Sequence, residues 1–308
     1  MQYALCFMHF VPVLSSLRHS KRLKKMQHHE SQQNSDYILV ARLDNSKNLS
    51  NLLKAIHFKD TATVFISANG LKVTVEESKY AQASAFIQSS VFQEYNFDEE
   101  SATFKINLNV LLECLHIFGS SSEKSSATAL KMCYAGHGYP LKLLLAEEGG
   151  ILTDCSITTM DADDVVDFNF SSTDVLNKVI MKSLALKDAF QELDMTSDVI
   201  QILMSPDAPY FRISTFGNSG SAHVDYPKDS EMVETFECVQ TQSNRYKTSL
   251  LKPSTKALVP SNKVSIRMDD RGFLSLQYMI LNEDGQICFV EYLCAPNEEL
   301  EGDEDFDR

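Results

Sequence analysis

Apolar and polar positions follow two distinct periods along this chain. Tyr37 to Leu43 reads as a strand, after which Leu49, Leu52, Leu53 and Ile56 recur at the spacing of one helix face. Lys47, Asn51, Lys54 and Phe58 lie opposite. Short strand-like runs follow at Ala62–Ser67, Leu71–Glu76, Ala81–Gln88 and Ala102–Leu108, the first two joined by Asn69-Gly70, a pair suited to a tight hairpin. The spacing predicts a second helix over Asn109–Phe118, burying Leu111, Leu112, Leu115 and Phe118 and turning Asn109, Glu113 and His116 outward. Strands at Thr128–Tyr134, Leu141–Ala146 and Ile151–Ile157 complete this half.

The same order then returns. A strand at Asp167–Phe170 leads to a helix expected from Ser172, an N-cap type of residue, with Val175, Leu176, Val179 and Ile180 on its apolar face. Asp174, Lys178 and Lys182 lie opposite. Strands are expected at Val199–Met204, Tyr210–Phe216, Ala222–Tyr226 and Arg245–Leu250, then a short helix over Lys252–Leu258 with Pro253 in its first turn. Lys263–Met268, Phe273–Ile280 and Gln286–Leu293 finish the half. Equivalent elements fall roughly 130 to 140 residues apart, which predicts two copies of one α+β unit, 35–157 and 167–296, joined by a connector, 158–166. In each copy two helices must pack on a largely antiparallel sheet, so their polar faces point the same way. Those faces offer Lys47, Lys54, Lys178, Lys182, Lys252 and Lys256.

Charge gives these lysines their interest. Of 308 residues, 28 are Lys or Arg and 42 are Asp or Glu, a net charge of −14. Such a chain does not bind polyanions over its whole surface, and a nucleic-acid role needs the lysines on one face. Ordinary solvated helix faces are the competing reading. Residues 1–34 are basic and look foreign to the fold: apolar Tyr3–Leu17 precedes Arg18–Lys25, the wrong order for a secretory signal. They read as a disordered extension, with a nuclear-import patch or a start at Met26 as alternatives. Glu298–Asp307 reads as an acidic disordered tail. A 44% hydrophobic content with no apolar run near the ~18 residues of a membrane span describes a globular, non-membrane chain. Seven cysteines without a C-x-x-C pair argue for reduced intracellular thiols.

Ile66-Ser67-Ala68-Asn69-Gly70-Leu71 resembles the hairpin after the first helix of DNA sliding clamps of the proliferating-cell-nuclear-antigen type. Tyr278-Met279-Ile280, Gly285 and Tyr292-Leu293-Cys294-Ala295-Pro296 resemble that family's C-terminal strands and tail. Within the family, Leu53–Phe58, Ile117–Ser121, Glu192–Ser197, Tyr210–Asn218, Asp225–Ser230 and Gly272–Tyr278 are similar to the Rad-one type of the checkpoint clamp, the nine-one-one complex. The likeness covers about residues 37–296.

That resemblance implies an α+β DNA-clamp fold of two similar domains, in a ring of three subunits with helices inside and sheets outside. The neighbours would be Rad-nine-type and Hus-one-type subunits, and an ATP-driven checkpoint clamp loader would place the ring on damaged or resected DNA in the nucleus. The ring would serve repair enzymes and checkpoint mediators without a cofactor. The six lysines become the channel lining, meeting the phosphates of duplex DNA without reading bases. Rings of this family close by pairing edge strands. By position the expected edges are Leu141–Ala146, through Leu141, Leu143 and Leu145, and Ala222–Tyr226, through Ala222, Val224 and Tyr226; an internal strand is the competing reading of the first. Two departures from the replicative clamp stand out: Glu113 on a channel helix, and a short connector bearing Asp161, Asp163 and Asp164.

The family has also carried a suggestion of 3′→5′ exonuclease activity. A two-metal nuclease needs carboxylates converging from firm elements, about 4 Å between metals. Here Asp161, Asp163 and Asp164 fall in the connector with Asp167 directly after it, and Asp269-Asp270 fall in a turn. Gly217-Asn218-Ser219-Gly220 lies between strands with no helix after it. The sequence offers no active site, and the expected function is non-catalytic.

Overall fold

The computed structural model describes residues 36–117, 128–147, 151–171, 173–217, 220–282 and 285–297; the N-terminal extension, the acidic tail and the expectations at Phe118 and Ser172 lie outside them. Strand β1 (Leu39–Leu43) leads into helix α1 (Ser46–Ile56), where Asn45 Oδ1 accepts from the Lys47 N–H at 3.0 Å and caps the first turn. Strands β2 (Thr61–Ser67), β3 (Gly70–Glu77), β4 (Ala81–Gln88), β5 (Glu94–Phe97) and β6 (Ser101–Asn107) follow. Helix α2 (Leu108–Ile117) and strands β7 (Ala129–Tyr134), β8 (Leu141–Ala146) and β9 (Leu152–Ile157) end the first half, and a two-residue strand β10 (Thr159–Met160) opens the connector.

The second half runs β11 (Val175–Lys182), α3 (Ser183–Glu192), β12 (Val199–Met204), β13 (Phe211–Gly217), β14 (Gly220–Tyr226), β15 (Val233–Cys238) and β16 (Gln242–Lys247). Helix α4 is an α-turn at Thr248–Leu251 that tightens into 3-10 geometry over Lys252–Leu258; β17 (Ser261–Asp269), β18 (Leu274–Leu281) and β19 (Ile287–Cys294) close the chain. The repeat holds element for element. Counterparts begin between 132 residues apart, Ala129 to Ser261, and 141 apart, Gly70 to Phe211.

One expectation is corrected. Val175–Lys182 is a strand, and the helix begins only at Ser183. Burial in this segment alternates, with Asn177, Val179 and Met181 fully inside, and the β-branched Val175, Val179 and Ile180 suit a pleated surface. Asp167–Phe170 is correspondingly irregular rather than a strand.

Three sheets form, all antiparallel. Their orders are β5-β1-β7-β8-β9, then the ten strands β10-β6-β2-β3-β4-β19-β18-β17-β11-β15, then β14-β13-β12-β16. The long sheet spans both halves because β4 pairs with β19, from Phe86 opposite Phe289 to Ala81 opposite Cys294. At this seam Ala81, Ala83 and Ala85 are wholly buried against Cys294, Tyr292 and Val290. Tyr292 packs its ring against Phe58, just past α1, at 5.8 Å between centroids and a tilt of 54°, and donates its hydroxyl to the Leu250 carbonyl in α4. The helices form one layer in the order α2, α1, α4, α3, and one large apolar core runs beneath them. The six described cysteines are free, and burial pushes the Cys294 thiol up to about 12, which keeps it protonated.

Two outcomes follow from this packing. Gly70 has φ +130°, and a Cβ there would sit 2.1 Å from the Ile87 carbonyl oxygen. Gly70→Ala should therefore cost more than about 1 kcal/mol, whereas Gly285→Ala, with open space around it, should cost less; denaturant midpoints compare the two. Burial pushes Tyr95 and Tyr226 up to about 12, and their hydroxyls donate to the Ser67 and Ala185 carbonyls, each at 2.7 Å. A raised folded pKa means that this stabilisation is complete below pH ~10 and is lost between pH ~10 and ~12. Tyr95→Phe and Tyr226→Phe should flatten the alkaline fall in stability by on the order of 2 kcal/mol each, measured by unfolding across that window.

Candidate nucleic-acid interface

The exposed face of the helix layer carries its basic charge in the centre. On α1, Lys47, Asn51 and Lys54 are exposed while Leu49, Leu52, Leu53 and Ile56 are buried. On α4, Lys252 and Lys256 are exposed, and Lys256 Nζ donates to the His57 carbonyl at the end of α1. Two helices from different halves thus meet and bring Lys54 and Lys256 to one junction. The flanking helices differ. Helix α2 exposes Val110, Glu113 and His116, and α3 exposes Leu184, Asp188, Gln191 and Glu192, with Lys187 half-buried.

Lys178 and Lys182 do not belong to this face. Both lie on strand β11, on the side opposite the buried Val179 and Met181, and Lys178 Nζ is 3.4 Å from Glu237 on β15. Their spacing, which fits a helix, is a strand's alternation. Lys187, four residues into the true helix, is masked in the sequence for the same reason.

The expected edges are half corrected. Leu141, Leu143 and Leu145 lie on β8, which pairs on both sides, with β7 and β9, and all three are buried inside. The edges of that sheet are β5 and, beside β8, β9, which exposes Leu152, Asp154 and Ser156. Strand β14, bearing Ala222, Val224 and Tyr226, is an edge. Ala222 is exposed and Val224 half-buried, but Tyr226 points inward and bonds α3. Beside them Arg212 grips Asp225 at 2.6 and 2.8 Å, which holds that carboxyl below its ordinary range.

On the outer side of the long sheet the connector covers a groove. Its first part encloses about 670 Å³ between Asp161–Val165 and the residues Thr63, Phe65, Lys72 and Thr103. Asp163 is tied to Lys105 at 2.6 Å and Asp161 lies 3.7 Å from His137. The second part, about 430 Å³, runs over the seam beside Gln82, Ser84 and Glu291. There the connector is anchored firmly. Glu76 accepts from the Val166 N–H at 2.9 Å, Gln82 donates to the Val166 carbonyl at 2.9 Å, and Arg271 donates to the Phe168 carbonyl at 3.0 Å.

The family described as "Repair protein Rad1/Rec1/Rad17" matches residues 38–280. The chain is 65% identical over 264 residues to the human cell cycle checkpoint protein RAD1, spanning 86% of this chain and 93% of the human protein. It is 64% identical over 264 residues to the mouse protein of that name, spanning 86% and 94%. This chain belongs to the Rad1 family. The DNA repair exonuclease REC1 of Mycosarcoma maydis is a distant Rad1-family relative, 20% identical over 441 residues, spanning 84% of this chain and 95% of that protein.

In this Rad1-family chain the connector carboxylates are drawn to separate basic partners, Asp163 to Lys105 and Asp161 towards His137. Among the described residues no three His, Cys, Asp or Glu side chains gather in a metal-holding group. Asp269 is fully buried and is satisfied by Arg271 and by the Arg271 and Phe273 N–H groups. Arg271 therefore does two things: it neutralises Asp269 and, through the Phe168 and Asn169 carbonyls, it pins the segment that directly follows the connector. Arg271→Met should cost about 1 to 3 kcal/mol, since the carboxylate keeps its backbone donors and loses its cation. Hydrogen exchange at Phe168–Phe170 should accelerate in the same variant; unchanged exchange would show that Phe168 packing on Phe273, at 5.7 Å, suffices.

Proposed function

We propose that this Rad1-family chain is a non-catalytic subunit of a three-membered ring that encircles duplex DNA in the DNA-damage checkpoint and in repair. Its neighbours are Rad-nine-type and Hus-one-type subunits, an ATP-driven checkpoint clamp loader sets the ring on DNA, and the work is nuclear. The ring is a platform for repair enzymes and checkpoint mediators.

One observation carries the reading. Strands β4 and β19 pair at the internal seam, and their counterparts in the repeat, β14 and β9, are both edges. The chain thus ends in two unlike edges whose equivalents already fit each other. Joining β14 to a β9-type strand of a neighbour reproduces the seam, and a head-to-tail contact of this kind closes a ring when its rotation permits. The helix layer then faces the centre. Lys47, Lys54, Lys252 and Lys256 offer mobile charges to phosphates, and such contacts are weak singly, salt-screened and indifferent to base sequence.

Adjacent residues of a strand aim their N–H groups in opposite directions, so proline at Thr153 and proline at Asp154 test the edge as a pair. One should stay folded and lose ring assembly with the sister subunits, and the other should lose stability by breaking the β8–β9 ladder. Normal assembly by both variants would defeat the β9 edge. For the channel, replacing Lys47, Lys54, Lys252 and Lys256 by alanine should lower retention of the loaded ring. Its salt slope should become shallower by up to ~0.9 for each phosphate that is no longer neutralised. Alanine at Lys178 and Lys182 should change neither. An unaltered slope in the quadruple variant, measured across a salt series, would remove the lysines from the channel.

A further inference from the structure

The repeat makes a demand at the C-terminus. In the first half, the chain leaving β9 forms β10 along β6, with Met160 opposite Lys105, and then crosses the outer face of β6, β2 and β3 as the acidic connector. Lys105 holds Asp163 there at 2.6 Å. In the second half, the chain leaving β19 takes the same course. The Ala295 N–H bonds the Tyr80 carbonyl at 2.8 Å, and the Asn297 N–H bonds the Arg245 carbonyl on β16 at 2.7 Å. Arg245 is the counterpart of Lys105. Lys105 stands opposite Thr63, between the buried Ala62 and Val64, and Arg245 stands opposite Gln201, between the buried Ile200 and Ile202.

The face ahead of Asn297 is cationic. Arg245 lies over the ring of Phe216 at 5.5 Å, and that ring is 41% exposed. Lys247 is exposed two residues further along the same side of β16, and Arg212 on β13 pairs with Asp225. The described chain ends at Asn297, and the residues beyond it, 298–308, hold seven acidic side chains and one basic. Asp163 comes three residues after Met160; Glu299 and Glu301 flank the third residue after Asn297.

We propose that the acidic C-terminal segment, residues 298–308, docks on this chain's own outer sheet face, over β16, β12 and β13, with its carboxylates on Arg245 and Lys247. Single exposed ion pairs are weak. A segment tethered at the edge of its own site, however, is present at an effective concentration on the order of millimolar, so several weak pairs acting together fill the site. The docked segment makes the second half resemble the first, where the connector covers the equivalent face. It also screens Arg245 and Phe216 from acidic or aromatic partners. Docking of this kind does not require ring formation.

Zero-length carbodiimide coupling of the full chain tests this, because it joins only a lysine and a carboxylate already in contact. An equal mixture of unlabelled and nitrogen-15-labelled chains is coupled and mapped by mass spectrometry. Intrachain links from Lys247 to carboxylates of 298–303 are expected, with a yield that falls at least about fivefold between ~0.05 and ~0.5 M salt as screening sets in. Arg245→Ser should lower the yield comparably. A second measurement alters only the segment itself: in the variant Glu298→Gln, Glu299→Gln, Glu301→Gln, Asp303→Asn, amides of β16 and β13 should exchange severalfold faster than in the parent chain, with β2 and β6 unchanged. Links between labelled and unlabelled chains would assign the face to a second copy and overturn the proposal. Absence of links together with unchanged exchange would overturn it as well.

Discussion

The pairing of β4 with β19 is the interaction on which the rest depends. It converts two repeats into one sheet of ten strands, and it is made tight by contrast in size, three alanines against Val290, Tyr292 and Cys294. Small side chains on one strand let α1 settle close to the sheet. Tyr292 then reaches into the helix layer and binds the α4 backbone beside Phe58. The junction of α1 with α4, and so the meeting of Lys54 with Lys256, is a product of that seam. On the opposite side the seam supplies Gln82 and Glu291 as the floor of the connector groove. The floor is itself braced, since Arg267 and Ser275 both donate to Glu291, at 2.6 and 3.0 Å.

Electrostatics follow from which helices the seam brings together. An acidic chain keeps four lysines on the two central helices and leaves α2 and α3 with mixed or apolar exposed faces. The flanks carry the opposite sign, with Glu113 on α2 and Asp188 and Glu192 on α3, so the basic charge is confined to the central pair. Four acidic residues of the sheets and connector are engaged elsewhere: Asp163 on Lys105, Asp225 on Arg212, Glu291 on Arg267 and Asp269 on Arg271.

Most of the fold was legible in the sequence, since its strands alternate cleanly and its first two helices show a 3.6-residue stripe. The failures have physical causes. Val175, Leu176, Val179 and Ile180 fit a helical stripe, but the strand is fixed by Asn177, whose amide bonds Gln240, Gln242 and Val239 in the interior. A hydrophobicity pattern counts that residue as polar and turns it outward. The real helix hides its signal by exposing Leu184 at 59%. The edge was misplaced because apolar alternation marks strands that are paired on both sides; free edges are kept polar against aggregation, as Thr153, Asp154 and Ser156 are on β9. Strands β5 and β15 went unseen because they are short or rich in acid, Glu94-Tyr95-Asn96-Phe97 and Val233–Cys238. Of the candidate site, the exposure of four helix lysines could be read from spacing, and one of two edge strands from its position in the family resemblance. The groove could not, because its walls come from β2, β3, β6 and a connector distant in sequence.

The seam has a further consequence, in time. Phe86 and Phe289, its first paired residues, are separated by most of the chain, and β19 is the last strand to leave the ribosome. At about 5–20 residues per second, the β19-facing edge of β4 in a nascent chain stays unpaired for roughly 10 to 40 seconds after it emerges, while its other edge pairs with β3. Over Ala81–Ala85 its inner side is alanine and its outer side Gln82 and Ser84, so that stretch of the waiting edge presents little for a stray chain to grip. The alanines that let the finished protein close tightly also make the unfinished one safe to hold open.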